Sequence, residues 1–147
     1  MREIDRDRDR LKAMLRSTDS KVLARRPASG NWSIVENVRH LLFAEQLHLG
    51  RFLPDGFEWS RTGLTGMTAK KFADVGKTPT KDIEKVFEEW DEVHRPIRRA
   101  VESARGDIES ALWRNQRHLA IHIRVIERLL RKSGASTSLY QQRHASR

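Results

Sequence analysis

The sequence contains no cysteine, which excludes disulfides, thiolate zinc sites, iron–sulfur clusters and a cysteine nucleophile. Any metal site must therefore be built from His, Asp and Glu side chains. Glycine and proline are scarce, with 8 and 4 residues among 147, and long alternating runs of β-branched residues are missing. Because apolar residues instead recur at spacings of three and four, the sequence predicts an all-α fold.

Long apolar runs are also missing, and the N-terminal segment 2–10 consists mostly of charged residues. A signal peptide needs an apolar segment and a membrane span needs a longer one, so we expect a cytoplasmic protein without membrane contact. The formal net charge of +9 fits either a nucleic-acid-binding surface or a solvated basic surface with a basic tail. We favour the solvated surface, because basic and acidic residues are interleaved and no recognition motif is present.

The length of 147 residues is typical of one domain with a single core. Apolar periodicity predicts four main helices, and capping residues place the second helix after Ser33, with Glu36 completing a capping box. The approximate ranges are 4–16, 33–52, 80–105 and 107–132. Residues 54–79, which are interrupted by glycine and proline, are predicted to form a long crossover with a short helix near 68–75. We expect residues 1–132 to form the bundle and 133–147 a flexible basic tail.

Two histidines, His118 and His122, lie four residues apart in the last predicted helix. At this spacing both rings leave the same side of a helix one turn apart, an arrangement that can hold a divalent metal. Helical phase places the pair in the apolar stripe with Ala111, Ile126 and Leu129, so both rings should face the core. A buried imidazole without a partner costs about 1–3 kcal/mol, and the pair therefore needs a polar network or a metal.

His40 in the second helix is a third histidine on an inward-facing stripe. Three neutral imidazoles are sufficient ligands for Zn²⁺, Ni²⁺ or Fe²⁺ and leave a position open for water or substrate. For His94 in the third helix two alternatives stay open. It is either a fourth metal ligand or a hydrogen-bond partner of a carbonyl freed by a helix kink at Pro96.

The second helix is apolar on two sides, because Val35, Val38, Leu42 and Leu49 form a stripe separate from that of His40. One stripe can line the core while the other contacts the first helix or a second subunit. We therefore predict a homodimer, since a monomer rarely exposes so large an apolar patch.

The run from Arg26 to Glu45 contains a Trp-Ser pair that opens the helix, then Glu36, and then His40 eight residues after Trp32. This run resembles the second-helix signature of the DinB-like superfamily of metal-binding four-helix proteins. The pair formed by His118 and His122 is similar to the signature of that family's last helix. The resemblance covers residues 10–132 by order and spacing. It implies an up-down-down-up four-helix bundle, a three-histidine site for a divalent metal (His40, His118 and His122), and often a homodimer.

The resemblance also implies an activity. Characterised members of the family include thiol transferases that use small thiols such as bacillithiol or mycothiol, and related enzymes act as thiol-dependent isomerases or hydrolases. The implied function is that of a metal-dependent transferase, or a hydrolase, acting on a small molecule with a low-molecular-weight thiol as co-substrate. Glu36 is a candidate to orient His40, beside its capping role, and Arg51 is a candidate to bind an acidic thiol. The alternative is a non-catalytic metal-binding or stress-related interaction protein.

Overall fold

The computed structural model of the chain describes residues 1–66, 73–74 and 80–134. Its elements are α1 (Arg2–Arg16), α2 (Ser20–Ala24), α3 (Ile34–Leu49), a 3₁₀ turn (Gly50–Phe52), β1 (Leu64–Thr65), β2 (Ala73–Asp74), α4 (Ile83–Ser103) and α5 (Ile108–Lys132). The prediction of an all-α fold is confirmed. The prediction of a short helix near 68–75 is wrong at residues 73–74, which form a strand that pairs with β1 in an antiparallel ladder. The rest of that stretch lies outside the described residues. Nearly all of the predicted tail, from residue 135 onward, also lies outside them.

Helix α3 begins with the predicted capping box. The Ser33 hydroxyl accepts a hydrogen bond from the Glu36 backbone N–H at 3.1 Å, and the Glu36 carboxylate accepts one from the Ser33 backbone N–H at 3.0 Å. The two bonds satisfy backbone donors that the first turn of a helix leaves unpaired. Glu36 also accepts hydrogen bonds from the Arg26 guanidinium at 2.6 and 2.8 Å. Its carboxylate is therefore engaged at the start of the helix and does not orient His40.

Side-chain contacts define the helix directions. Helix α1 runs antiparallel to α4. Asp5 near the start of α1 contacts Arg98 near the end of α4, whereas Arg16 at the end of α1 contacts Glu84 at the start of α4. Helix α3 likewise runs antiparallel to α5, because its first half meets the second half of α5 across the pair formed by Asn37 and His122. Among the four long helices in chain order, the first therefore packs antiparallel to the third, and the second packs antiparallel to the fourth.

Helices α3 and α4 run in the same direction. Glu45 of α3 contacts Trp90 and His94 near the middle of α4, and Phe52, just after α3, shares a cavity wall with Ala100 in the last turns of α4. Parallel neighbours cannot be joined by a tight turn, which explains the long crossover from residue 53 to 82. These directions fit the up-down-down-up order that the resemblance implies.

The core is formed by the apolar stripes of all four long helices. It includes the second stripe of α3, since Val35, Val38, Leu42 and Leu49 are each at most 1% exposed within one chain. This stripe therefore offers no surface to a second copy, and the argument from α3 for a homodimer is not supported. Among the described residues, no helix combines the length and apolar character needed to cross a membrane.

His94 lies away from the other inward-facing histidines, and neither alternative offered for it is correct. Its Nδ1 contacts Glu45 Oε2 at 2.8 Å and its Nε2 contacts Asp5 Oδ1 at 2.6 Å. Both ring nitrogens are thus engaged by carboxylates between α1, α3 and α4, so His94 is neither a fourth metal ligand nor the partner of a freed carbonyl. The reason is that α1 packs on α4 at this level and places Asp5 beside the ring.

Candidate metal centre

Three imidazole rings, those of His40, His118 and His122, meet between α3 and α5. The ring centroids are 4.5 Å apart for His118 and His122, and each lies 4.9 Å from that of His40. One nitrogen from each ring can be chosen so that all three lie within 4.8 Å of one another, which makes the group able to hold a metal ion. The four-residue spacing supplies two rings from one face of α5, and the antiparallel packing of α3 supplies the third.

Burial keeps these rings neutral. Burial, with smaller contributions from the neighbouring histidines, lowers the pKa of His118 to about 3. Burial and then His40 lower the pKa of His122 to about 4. Burial also lowers the pKa of His40, although the hydrogen bond to the Leu64 carbonyl opposes the shift. A neutral imidazole has a free lone pair, which is the form that binds a metal, so near pH 7 the cluster is ready to act as a ligand set.

Two of the rings are oriented by acceptors behind them. His40 Nδ1–H donates to the Leu64 carbonyl at 2.9 Å, and His122 Nδ1–H donates to Asn37 Oδ1 at 2.9 Å. Because Asn37 Nδ2 donates to the Ser33 carbonyl at 2.8 Å, its Oδ1 is the atom that faces His122. With the hydrogen on Nδ1, each ring carries its lone pair on Nε2, and such backing acceptors are a regular feature of histidine metal sites.

The distance between two ring nitrogens also fits a metal. His40 Nε2 and His118 Nε2 are 3.1 Å apart, and two ligands placed 2.0–2.1 Å from a tetrahedral zinc ion are about 3.3 Å apart. His118 differs from the other two rings because its buried Nδ1 has no hydrogen-bond partner among the described residues. The donor set, its neutral state and its spacing together suit Zn²⁺, Ni²⁺ or Fe²⁺.

The start of the crossover positions the acceptor of His40. The Arg39 guanidinium donates to the Thr62 carbonyl at 2.8 Å, and Glu89 of α4 accepts from the Thr62 backbone N–H and hydroxyl at 3.1 and 2.9 Å. These bonds attach residue 62 to both α3 and α4, two residues before Leu64. The crossover therefore completes the candidate site in addition to connecting the helices.

Sequence reasoning missed a fourth histidine near the cluster. His48 Nδ1–H donates to Asn115 Oδ1 at 3.1 Å, and its ring centroid lies 5.7 Å from that of His118. His48 follows His40 by eight residues, a spacing of about two turns that was the available signal. Arg51, the proposed ligand for an acidic thiol, instead contacts Asp107 at the start of α5, with nitrogen–oxygen distances of 3.5 and 3.8 Å.

Trp32 forms a wall of the site. Its ring centroid lies 4.8 Å from that of His40 and 6.5 Å from that of His122, and the side chain is only 6% exposed. The Trp-Ser pair that opens α3 therefore has two roles, because Ser33 caps the helix while Trp32 packs against two of the three histidines.

Changing Asn37 to alanine is expected to weaken zinc binding about 10- to 100-fold, because His122 then loses the acceptor that fixes its ring. The matched control is Asn115→Ala, which removes a similarly buried amide but one that orients His48. A competition titration with a chromophoric chelator measures both affinities. Equal affinity for zinc in the two variants would contradict the assigned role of Asn37.

The family model described as the DinB superfamily matches residues 3–126, a range that includes all three histidines of the cluster. Neither the curated proteins nor the solved structures contain a match.

Proposed function

Because this chain belongs to the DinB superfamily, we propose that it is a divalent-metal-dependent enzyme whose metal is held by His40, His118 and His122. The observation that carries the proposal is the convergence of three neutral imidazoles, one buried and two partly buried, two of which have acceptors behind them. A purely structural histidine cluster would be expected to satisfy every buried ring nitrogen. Here the rings of His118 and His40 share a hydrogen bond through their Nε2 atoms at 3.1 Å, but the buried Nδ1 of His118 has no partner among the described residues.

The reaction that fits best is transfer of a low-molecular-weight thiol to a small electrophile. A divalent metal on three imidazoles lowers the pKa of a bound thiol or water and leaves room for it. The chain contains no cysteine, so a sulfur nucleophile must be supplied by a co-substrate. In such a transfer the thiol loses its proton, its sulfur bonds to the electrophilic carbon, and the leaving group departs with the bonding electrons. The role of the protein is to hold the ligand rings neutral and fixed and to limit access of water.

A non-catalytic metal-binding protein, for example one that acts under stress, is the second candidate. With His94 engaged by carboxylates elsewhere, the described residues bring three imidazoles and no fourth to the cluster at ligand distance. Three protein ligands are typical of catalytic zinc sites and four of structural ones, so this observation favours the enzyme.

The test is a thiol-transfer assay with defined metals. The purified chain is stripped with a chelator, loaded separately with Zn²⁺, Ni²⁺ or Fe²⁺, and mixed with 1-chloro-2,4-dinitrobenzene and bacillithiol, mycothiol or cysteine. We expect at least one combination to exceed the rate with metal and thiol alone by about tenfold or more, with loss on chelation and recovery on reloading. Activity that survives removal of the metal would contradict the proposal. A metal-loaded chain that is inactive with every thiol would favour the non-catalytic alternative.

Two further proposals rest on the sequence and on family membership. We propose that the chain is cytoplasmic and that it forms a homodimer, as the resemblance implies. Sedimentation equilibrium at micromolar concentration tests the second proposal, and a mass equal to the 17.1 kDa of one chain would contradict it.

A further inference from the structure

A cavity of about 360 Å³ adjoins the candidate metal centre on the side of His122. Trp32, Asn37 and His122 line one part of it, and Arg128 and Lys132 line another. Its volume is at the lower end of the range for small-molecule sites. A molecule bound there would contact one of the three candidate ligands and the amide that orients it.

The charged residues that line this cavity, among those that the structure describes, are all basic. Within that part of the chain Arg128 and Lys132 are the only ionisable side chains of the lining apart from His122, and no carboxylate lines it. Neither cation forms an ion pair with the residues that the structure describes. With a rise of 1.5 Å per residue, the two lie about 9 Å and about 15 Å along α5 from His122. An anionic group held by them would therefore be well separated from the metal centre.

The rest of the wall suits an apolar body. Pro27 from the connector before α3 and Val125 and Leu129 of α5 line the cavity together with Trp32. The Trp32 side chain is buried, and its Nε1–H has no acceptor among the described residues. The cavity thus combines an aromatic and aliphatic surface next to His122 with two cations further along the helix, neither of which pairs with a described carboxylate.

Basic residues near the end of a helix also have a simpler role, because they interact favourably with the helix dipole. Arg131 lies with Lys132 in the last turn of α5 and could interact with the helix dipole equally well, but Arg131 does not line the cavity. The dipole therefore explains why cations are frequent here, and it does not explain why two of them line the same cavity as His122.

We propose that this cavity binds a small organic anion, with its carboxylate or phosphate at Arg128 and Lys132 and its apolar part against Trp32. The assignment of this ligand as the substrate or co-substrate rests on the proposed function, whereas the binding itself does not. The proposal names the class of molecule that the metal centre would act on, namely one with an anionic group at a distance from its reactive end.

The test compares three probes that share one apolar body: 4-phenylbutyrate, 4-phenylbutyl phosphate and the neutral 4-phenylbutan-1-ol. Isothermal titration measures each Kd with the full chain, both metal-free and zinc-loaded. The variant R128Q/K132Q removes the two cavity cations, and the control R124Q/R131Q removes two exposed cations of α5 that do not line the cavity. Both double variants lower the net charge equally, so the long-range attraction for an anion changes equally.

We expect at least one anionic probe to bind native protein and the control about tenfold more tightly than the alcohol. This preference should disappear in R128Q/K132Q and weaken with added salt. The stronger of the two anions distinguishes a carboxylate site from a phosphate site. Equal binding of anion and alcohol, equal loss in both double variants, or no binding of any probe at millimolar concentration would overturn the proposal. A charge preference in metal-loaded protein that lacks transfer activity with every thiol would support the anion site while the proposed function fails.

Discussion

Replacing His118 by alanine is expected to remove nearly all of the metal bound by the purified chain. We expect native protein expressed with supplemented metal to carry close to one divalent ion per chain, because three neutral imidazoles converge at one point. With His118 removed, only His40 and His122 remain, and two imidazoles form an incomplete ligand set for zinc, nickel or iron. Elemental analysis by inductively coupled plasma mass spectrometry measures the metal content directly.

The matched control is His48→Ala, which removes a fourth histidine whose ring lies beside His118 but which is not part of the three-histidine group. This variant should keep its metal. The companion variant His40→Ala should abolish transfer activity while circular dichroism still reports a helical bundle. Metal-free native protein, or a His118→Ala variant that retains a full equivalent, would contradict the site.

The inward direction of the histidines could be predicted from sequence because it follows from the helical period. His118 and His122 share a stripe with residues that pack in the core, so their rings had to enter the bundle wherever α5 lay. The period says nothing about which helices become neighbours. The prediction that His40 joins His118 and His122 depended on the family resemblance of the run around His40. In the structure, the packing of α3 against α5 brings the three rings together.

Other parts of the site had no signal in the sequence. The acceptor of His40 is the backbone carbonyl of Leu64, and every residue has such a carbonyl, so only the path of the crossover selects this one. His94 shows the opposite difficulty, because its position on the apolar stripe of α4 is the same whether it meets a metal or a carboxylate. The packing of α1 decides the outcome by placing Asp5 at the ring.

Metal-free protein is expected to lose stability on mild acidification, by roughly 3 kcal/mol in the free energy of unfolding between pH 7 and pH 5. In the folded chain the pKa of His118 is lowered to about 3 and that of His122 to about 4, whereas unfolded histidine titrates near 6.5. Below that value the unfolded chain binds protons that the folded chain does not bind. The contribution of these two histidines to the free energy of unfolding is therefore fully present above the pKa of unfolded histidine. It is lost as the pH falls toward their pKa values in the folded chain.

Urea denaturation of chelator-treated protein at pH 7, 6 and 5 measures this loss. The window lies above the range in which ordinary carboxylates titrate, and the pKa values of Asp5, Glu36 and Asp91 are lowered further. Those groups therefore contribute little between pH 7 and pH 5. The control is the double variant His118→Gln/His122→Gln, which keeps polar side chains at both positions but cannot titrate. Between pH 7 and pH 5 the free energy of unfolding of this variant should fall by about 3 kcal/mol less than that of the native protein. An equal fall in the two proteins would show that His118 and His122 do not cause the acid sensitivity.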